Sequence, residues 1–238
     1  MTSSAMPIPP PPIALTPEQM RLLDAYADAL QDGNRRINLT AITDRDAIFI
    51  KHFWDTLAIT PHLDALLPPD AHLIDVGTGG GIPGLVLAIA RPTWRITLLD
   101  ATRKKVHFVE ETARTLGLNN VRAVWGRAEE VARESDHREQ YDAAVARAVA
   151  PLRVLAELCL PFVRVGGWWC AMKGPAVAEE AAEAHAAIAL LGGEPPHIEM
   201  VEVPGADAQR AVVLVRKHAP TPERYPRRAG VPHKRPLG

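Results

Sequence analysis

From residue 72 to residue 215 the sequence alternates short apolar, β-prone runs with helical stretches, and this alternation restricts the architecture more than any other feature. Strands are expected at 72–76, 95–99, 121–125, 143–146, 168–172, 197–203 and 211–215, with helices at 84–90, 103–116, 129–134, 152–163 and 177–191 between the first six. Parallel neighbours need a long crossover, usually a helix, so the pattern predicts a mostly parallel seven-stranded sheet covered on both faces. The last two strands are joined only by Pro204-Gly205-Ala206-Asp207, which makes the last strand antiparallel if the two are adjacent. The expected fold class is therefore α/β, doubly wound and Rossmann-like.

The rest of the chain is organised around that domain, expected over 71–217. Residues 1–15 carry five prolines and predict a disordered or polyproline extension, with neither the basic nor the apolar region of a secretory signal. Residues 16–70 read as a helical appendage. It opens on Thr16-Pro17-Glu18-Gln19, a capping box with proline at the first helical position. A second helix is expected at 46–67, with Ile48, His52, Asp55 and Ile59 on one face. No run of about 18 apolar residues occurs that would span a bilayer. The two cysteines, Cys159 and Cys170, sit in apolar runs and read as reduced core thiols of a cytoplasmic protein, and the nine histidines show no metal-binding spacing.

Charge is polarised although the net value is −1. From Arg216 to Gly238 seven Lys or Arg face one acid, which makes 218–238 a basic tail, either solvated or a phosphate contact.

The chemistry concentrates at expected strand ends. The first strand runs into Asp75-Val76-Gly77-Thr78-Gly79-Gly80-Gly81-Ile82-Pro83-Gly84. Glycines there let the backbone approach a ligand, and the first β–α turn of such sheets is where nucleotides bind. Gly79, Gly81 and Gly84 formally match the dinucleotide pattern, with Asp100 placed to hold a ribose. S-adenosylmethionine uses the same topology, and three features favour it: Asp75 two positions before the first glycine, Pro83 inside the would-be dinucleotide helix start, and Glu129 just past the third strand, where it can accept from an adenine amino group.

The chain resembles the RsmG/GidB family of bacterial 16S ribosomal RNA guanine-N7 methyltransferases. The resemblance rests on Asn38-Leu39-Thr40, Lys51-His52 with Asp55, the Asp75–Gly84 turn, Leu98-Leu99-Asp100 followed by Arg103-Lys104-Lys105, Arg127-Ala128-Glu129-Glu130, Ala146-Arg147-Ala148 and Met172-Lys173-Gly174. It implies a class I S-adenosylmethionine-dependent fold and a target guanine in the 530 loop, on 16S RNA or a small-subunit assembly particle; the chain is expected to act as a monomer without a membrane partner. It also implies that Gly77 and Ile82 line the methionine and ribose side, with Gly79 in the same turn. Asp100 takes the ribose, Ala128 and Glu129 the adenine edge, and Arg147 reaches cofactor or target. The family usually has serine after the ribose acid; Ala101 and Thr102 stand here.

The residues themselves agree with an N7 enzyme. Guanine N7 offers an unprotonated lone pair, so positioning rather than a general base supplies most of the rate. The motifs of exocyclic-amine and cytosine-C5 methyltransferases are missing. Arg147, at the carboxyl end of the fourth strand, is the expected catalytic residue, gripping a phosphate or guanine O6. Arg127, Lys173, His52 and Asn38 are expected on the substrate side, each with a structural alternative: an ion pair, a solvated strand end, a His52–Asp55 pair and a turn. A methyltransferase acting on another RNA or on a small molecule would share the cofactor site.

Overall fold

A computed structural model describes residues 8–147, 150–175 and 177–238. The elements run α1 (Pro17–Asn34), α2 (Arg45–Ile48), a π-helical segment (Phe49–Trp54), α3 (Asp55–Leu66), β1 (His72–Val76), α4 (Gly84–Ala90), β2 (Arg95–Asp100), α5 (Arg103–Thr115), β3 (Val121–Trp125), α6 (Ala128–Val131), β4 (Tyr141–Arg147), α7 (Leu152–Cys159), a 3-10 turn (Leu160–Phe162), β5 (Val163–Lys173), α8 (Ala178–Leu190), β6 (His197–Val201), β7 (Arg210–Arg216) and α9 (Val231–Lys234). The sheet order is β3-β2-β1-β4-β5-β7-β6. β7 runs antiparallel to both β5 and β6, and the other pairings are parallel, as the alternation requires. The order reverses beside β1, so the carboxyl ends of β1 and β4 diverge at the crevice where ligands bind in such sheets.

Local chemistry sets the first helix. Thr16 Oγ1 accepts from the Gln19 N–H, and the Gln19 side chain accepts from the Thr16 N–H, completing the capping box. Gln19 also donates through Nε2 to the carbonyls of Ile89 and Ala90, which fastens the start of α1 to the end of α4. Leu23, Tyr26, Leu30, Phe53 and Leu57 are buried in one continuous core with Leu85 and Leu98. The N-terminal helices therefore cover one face of the sheet rather than enclosing a core of their own. A second core, with Leu155, Phe162, Trp169 and Ile188, lies under α7 and α8. Each such side chain contributes about 1.5–3 kcal/mol when fully buried.

Three expectations are corrected. The helix expected at 46–67 is broken by the π segment Phe49–Trp54. No residue type announces a π turn; Phe49, Phe53 and Trp54 are all buried, and packing holds the wide turn. Residues 1–7 of the expected disordered extension lie outside the described residues, but from Ile8 onward the segment is docked. Trp54 Nε1 donates to the Pro9 carbonyl at 2.9 Å, and Ile8, Ile13 and Leu15 pack on the core.

Nor is 218–238 a free tail. The Arg138 guanidinium donates to the carbonyls of Thr221 (2.7 Å) and Tyr225 (2.9 Å). Arg227 grips the fully buried Glu157, and Lys217, also fully buried, pairs with Glu139 at 2.7 Å. A carboxylate removed from water needs a cation or several donors, and these basic residues answer that need. Part of the basic excess is thus internal, while Arg224, Arg228, Lys234 and Arg235 remain exposed.

Burial lowers the Lys217 ammonium to about pH 8 despite Glu139. Glu139→Ala should destabilise the fold by about 1–2 kcal/mol at pH 7, because Lys217 loses its partner and must give up its proton to stay buried, about one pH unit from its value of about 8. The loss should shrink as pH rises through 8, where Lys217 becomes neutral; urea unfolding at pH 7 and pH 9 measures both values.

Candidate active site

The site grows from the end of β1. Asp75 is fully buried, and its Oδ2 accepts from Thr78 Oγ1 at 2.6 Å and from the Gly84 N–H at 2.9 Å, folding the turn back onto the strand. Gly84 has no room for a side chain: a Cβ there would lie 2.8 Å from Asp75 Oδ2. The N–H groups of Gly77 and Thr78 donate to the Leu99 carbonyl at 2.8 and 3.0 Å, which ties the turn to β2. Tyr26 of α1 donates its hydroxyl to the Gly80 carbonyl at 2.7 Å, so the N-terminal helix clamps the same turn from outside. Burial raises the Asp75 carboxyl to about 6, and the two hydrogen bonds oppose that rise.

Asp100 closes β2 beside this turn. Its Oδ2 accepts from Gly79 N–H (3.0 Å) and its Oδ1 from Thr102 N–H (2.7 Å). Gly79 reaches that position with φ +59°, in the left-handed region that glycine adopts without strain. Each carboxylate oxygen keeps a further lone pair for a ligand.

Three cavities adjoin along the carboxyl edge of the sheet. The first, about 410 Å³, is lined by Lys51, His52, Asp55, Arg147, Lys173 and Arg210 among others. The second, about 380 Å³, includes Thr40, Gly77, Gly79, Ile82, Asp100 and Arg147. The third, about 120 Å³, includes Gly77, Asp100, Arg127, Ala128 and Glu129. Arg147 belongs to the first two, and Gly77 and Asp100 to the last two, so the cavities form one run.

Arg147 is mostly buried and held from one side. Its guanidinium donates to the Lys51 carbonyl at 3.1 Å, to Asp55 Oδ2 at 3.4 Å and to His52 Nδ1 at 3.0 Å. His52 Nδ1 lies 3.0 Å from Arg147 Nη2 and 3.1 Å from the Lys51 carbonyl; because arginine only donates, the tautomer that keeps the Arg147 contact carries its proton on Nε2, facing Thr40 Oγ1 at 2.8 Å. Burial and the adjacent Arg147 charge lower His52 to about 3, so it is neutral at physiological pH. Asp55 also faces Arg210, Nε to Oδ1 3.3 Å; burial raises the Asp55 carboxyl while both arginines restrain it.

Gly77, Gly79, Ile82, Asp100, Ala128, Glu129 and Arg147 thus come together along one groove, with His52 behind Arg147. Lys173 lines the first cavity, but its ammonium is bound to Glu180 Oε1 (2.8 Å) and the Ala150 carbonyl (2.7 Å), so it is a paired cation rather than a free strand end. Arg127 is exposed at the rim of the third cavity. Asn38 is exposed and lines none of the three; its neighbours Leu39 and Thr40 do. The sequence reading missed Arg210. The signal for Arg210 was present: an antiparallel last strand begins at the rim where the parallel strands end.

Unfolded histidine takes up a proton near pH 6.5, whereas folded His52 does so only near 3. The unfolded state therefore binds more protons between these values, and His52 makes stability fall with falling pH across that window. His52→Asn should lose stability less steeply between pH 6.5 and 4 than the parent chain, as followed by urea midpoints.

The family described as rRNA small subunit methyltransferase G matches residues 19–212. A ribosomal RNA small subunit methyltransferase G from Moorella thermoacetica is 46% identical over 94% of this chain and 93% of its own length. Its counterpart from Symbiobacterium thermophilum is 48% identical over 89% of this chain and 87% of its own. Among solved structures, geranyl diphosphate C-methyltransferase from Streptomyces coelicolor, in complex with S-adenosyl-L-homocysteine, superposes with a TM-score of 0.54 at 17% identity, covering 86% of this chain and all of that one. That likeness shows the class I methyltransferase fold. With nearly half of its residues identical to these relatives along most of its length, the chain belongs to the rRNA small subunit methyltransferase G family.

Proposed function

We propose that this chain transfers the methyl group of S-adenosylmethionine to N7 of a guanine in the 530 loop of 16S ribosomal RNA. Family membership supports methylation of small-subunit ribosomal RNA with this donor. The observation that carries the finer reading is Arg147, a wall shared by the groove suited to the cofactor and the cavity beside it.

The residues fit the donor. Asp100 borders both the second and third cavities and presents carboxylate oxygens suited to a ribose diol, while buried Glu129 offers an acceptor for an adenine amino group. Gly77, Gly79 and Ile82 leave the middle of the groove to the amino-acid portion. When bound, S-adenosylmethionine supplies an electrophilic methyl on a sulfonium. The protein's part is orientation. Arg147 donates to guanine O6 and leaves N7 unengaged, since a nitrogen held by a donor cannot attack. Lys51 and Arg210, on the same cavity, suit the phosphates of the substrate strand. His52 is neutral and engaged with Arg147 and Thr40, so it orients the guanidinium rather than taking a proton. The N7 lone pair carries no proton to remove, and the near-attack geometry is what must be supplied. Asp55, fixed between two arginines, places negative charge near the base as it becomes cationic.

No described helix is long and apolar enough to cross a membrane. We place the enzyme in the cytoplasm as a monomer acting on 16S RNA or on a small-subunit assembly particle.

Asp100→Ala should weaken S-adenosylhomocysteine binding by about 1–3 kcal/mol, as calorimetry would record, through unpaired ribose hydroxyls. Arg147→Ala should slow single-turnover methylation roughly tenfold to a hundredfold, equivalent to a charge-assisted contact of about 1.5–3 kcal/mol. Arg147→Lys should restore little, because lysine lacks the planar fork. His52→Ala should cost less than Arg147→Ala. Mapping of N7-methylguanine in 16S RNA, with and without the protein, tests the assignment directly. Methylation at an exocyclic amine, or chemistry abolished by His52→Ala with both affinities intact, would refute it.

A further inference from the structure

The third cavity is bordered on one side by a part of the chain beyond the residues matched by the family profile, which end at 212. The Gly230 N–H donates to Glu129 Oε1 at 2.8 Å. His233 lines the cavity with Gly77, Asp100, Ala128, Glu129 and Leu158. The segment is fastened on both sides of this crossing. Upstream, Arg227 grips Glu157 through its own N–H (2.7 Å), Nε (2.9 Å) and Nη2 (2.6 Å), and Glu157 is fully buried. Downstream, Leu237 packs on the core under α7 and α8. The chain between these anchors passes the mouth of the cavity.

A carboxylate has two acceptor oxygens. The Gly230 N–H occupies one and fixes the plane of the group, leaving Oε2 as an acceptor of set direction. An imidazole edge or face at the mouth suits a flat heteroaromatic base. We propose that residues 230–233 form the outer wall of the adenine end of the cofactor pocket: Gly230 positions Glu129, and His233 covers the base. This rests on the reading of the third cavity as the adenine end. It extends that reading by making the C-terminal strap part of the cofactor site.

Calorimetry of S-adenosylhomocysteine and of S-inosylhomocysteine, whose 6-oxo group cannot donate to Glu129, tests the proposal. The variants are a chain truncated after Ala229, full-length His233→Ala, and Asp100→Ala as a control on the pocket. Truncation keeps the Arg227–Glu157 pair, and circular dichroism checks the fold. It should weaken S-adenosylhomocysteine binding about tenfold or more, as expected for losing a charge-assisted contact and its cover. The preference over the inosyl ligand should narrow in parallel, a change that a general loosening of the fold would not produce. A truncated chain that binds S-adenosylhomocysteine within about twofold of the parent overturns the strap, and an equal loss for both ligands overturns the positioning of Glu129. If truncation costs the fold, His233→Ala decides: about threefold weaker binding supports the proposal, and unchanged affinity overturns it. Should Asp100→Ala also leave affinity unchanged, the fault lies with the pocket assignment rather than with the strap.

Discussion

The buried carboxylate of Asp75 is the constraint on which the site depends. It sits fully buried at the end of β1, and it is stabilised by closing the turn that follows, through Thr78 and the Gly84 N–H. That closure fixes where Gly77 and Gly79 place their backbone, and Gly79 in turn orients Asp100 on the neighbouring strand. One desolvated charge therefore sets the geometry of two strand ends. The lack of space at Gly84 is the other side of the same arrangement.

A second buried charge, Arg147, organises the opposite half. A guanidinium at this depth needs acceptors, and it finds them on the π segment and the start of α3: the Lys51 carbonyl, His52 Nδ1 and Asp55 Oδ2. The N-terminal helices thus do more than cover the sheet. They hold the arginine between two cavities and clamp the glycine turn through Tyr26. Neutrality of His52 follows from the same packing, since burial and a neighbouring cation both oppose its protonation.

The C-terminal segment follows this logic at the far edge. Glu157 and Glu139 are acids in positions that demand partners, and Arg227, Lys217 and the Thr221 N–H supply them. Ion pairing, together with burial of Tyr225 and packing of Leu237 on the core under α7 and α8, brings the chain end back across α7 to the mouth of the third cavity.

Much of the fold was legible because period and topology are local or nearly so. Strand–helix alternation determined a parallel sheet, the missing crossover before residue 211 determined the antiparallel strand, and Thr16 with Gln19 determined where α1 starts. The glycine turn, Asp100, Glu129 and Arg147 were legible because strand ends in such a sheet converge on one edge. Tertiary structure alone decided the rest. The π segment carries no sequence mark, since packing of Phe49, Phe53 and Trp54 selects it. Charge counting described 218–238 as a basic tail, whereas long-range contacts with Glu157, Glu139, Glu129 and Arg138, and packing of Tyr225 and Leu237 on the core, make it a docked strap. Lys173 and Arg210 are equally cationic in the sequence; one is bound to Glu180, and the other faces Asp55 in the site. Composition and order determine which charges exist and which edge they reach, whereas burial and the nearest partner decide which of them a ligand can meet.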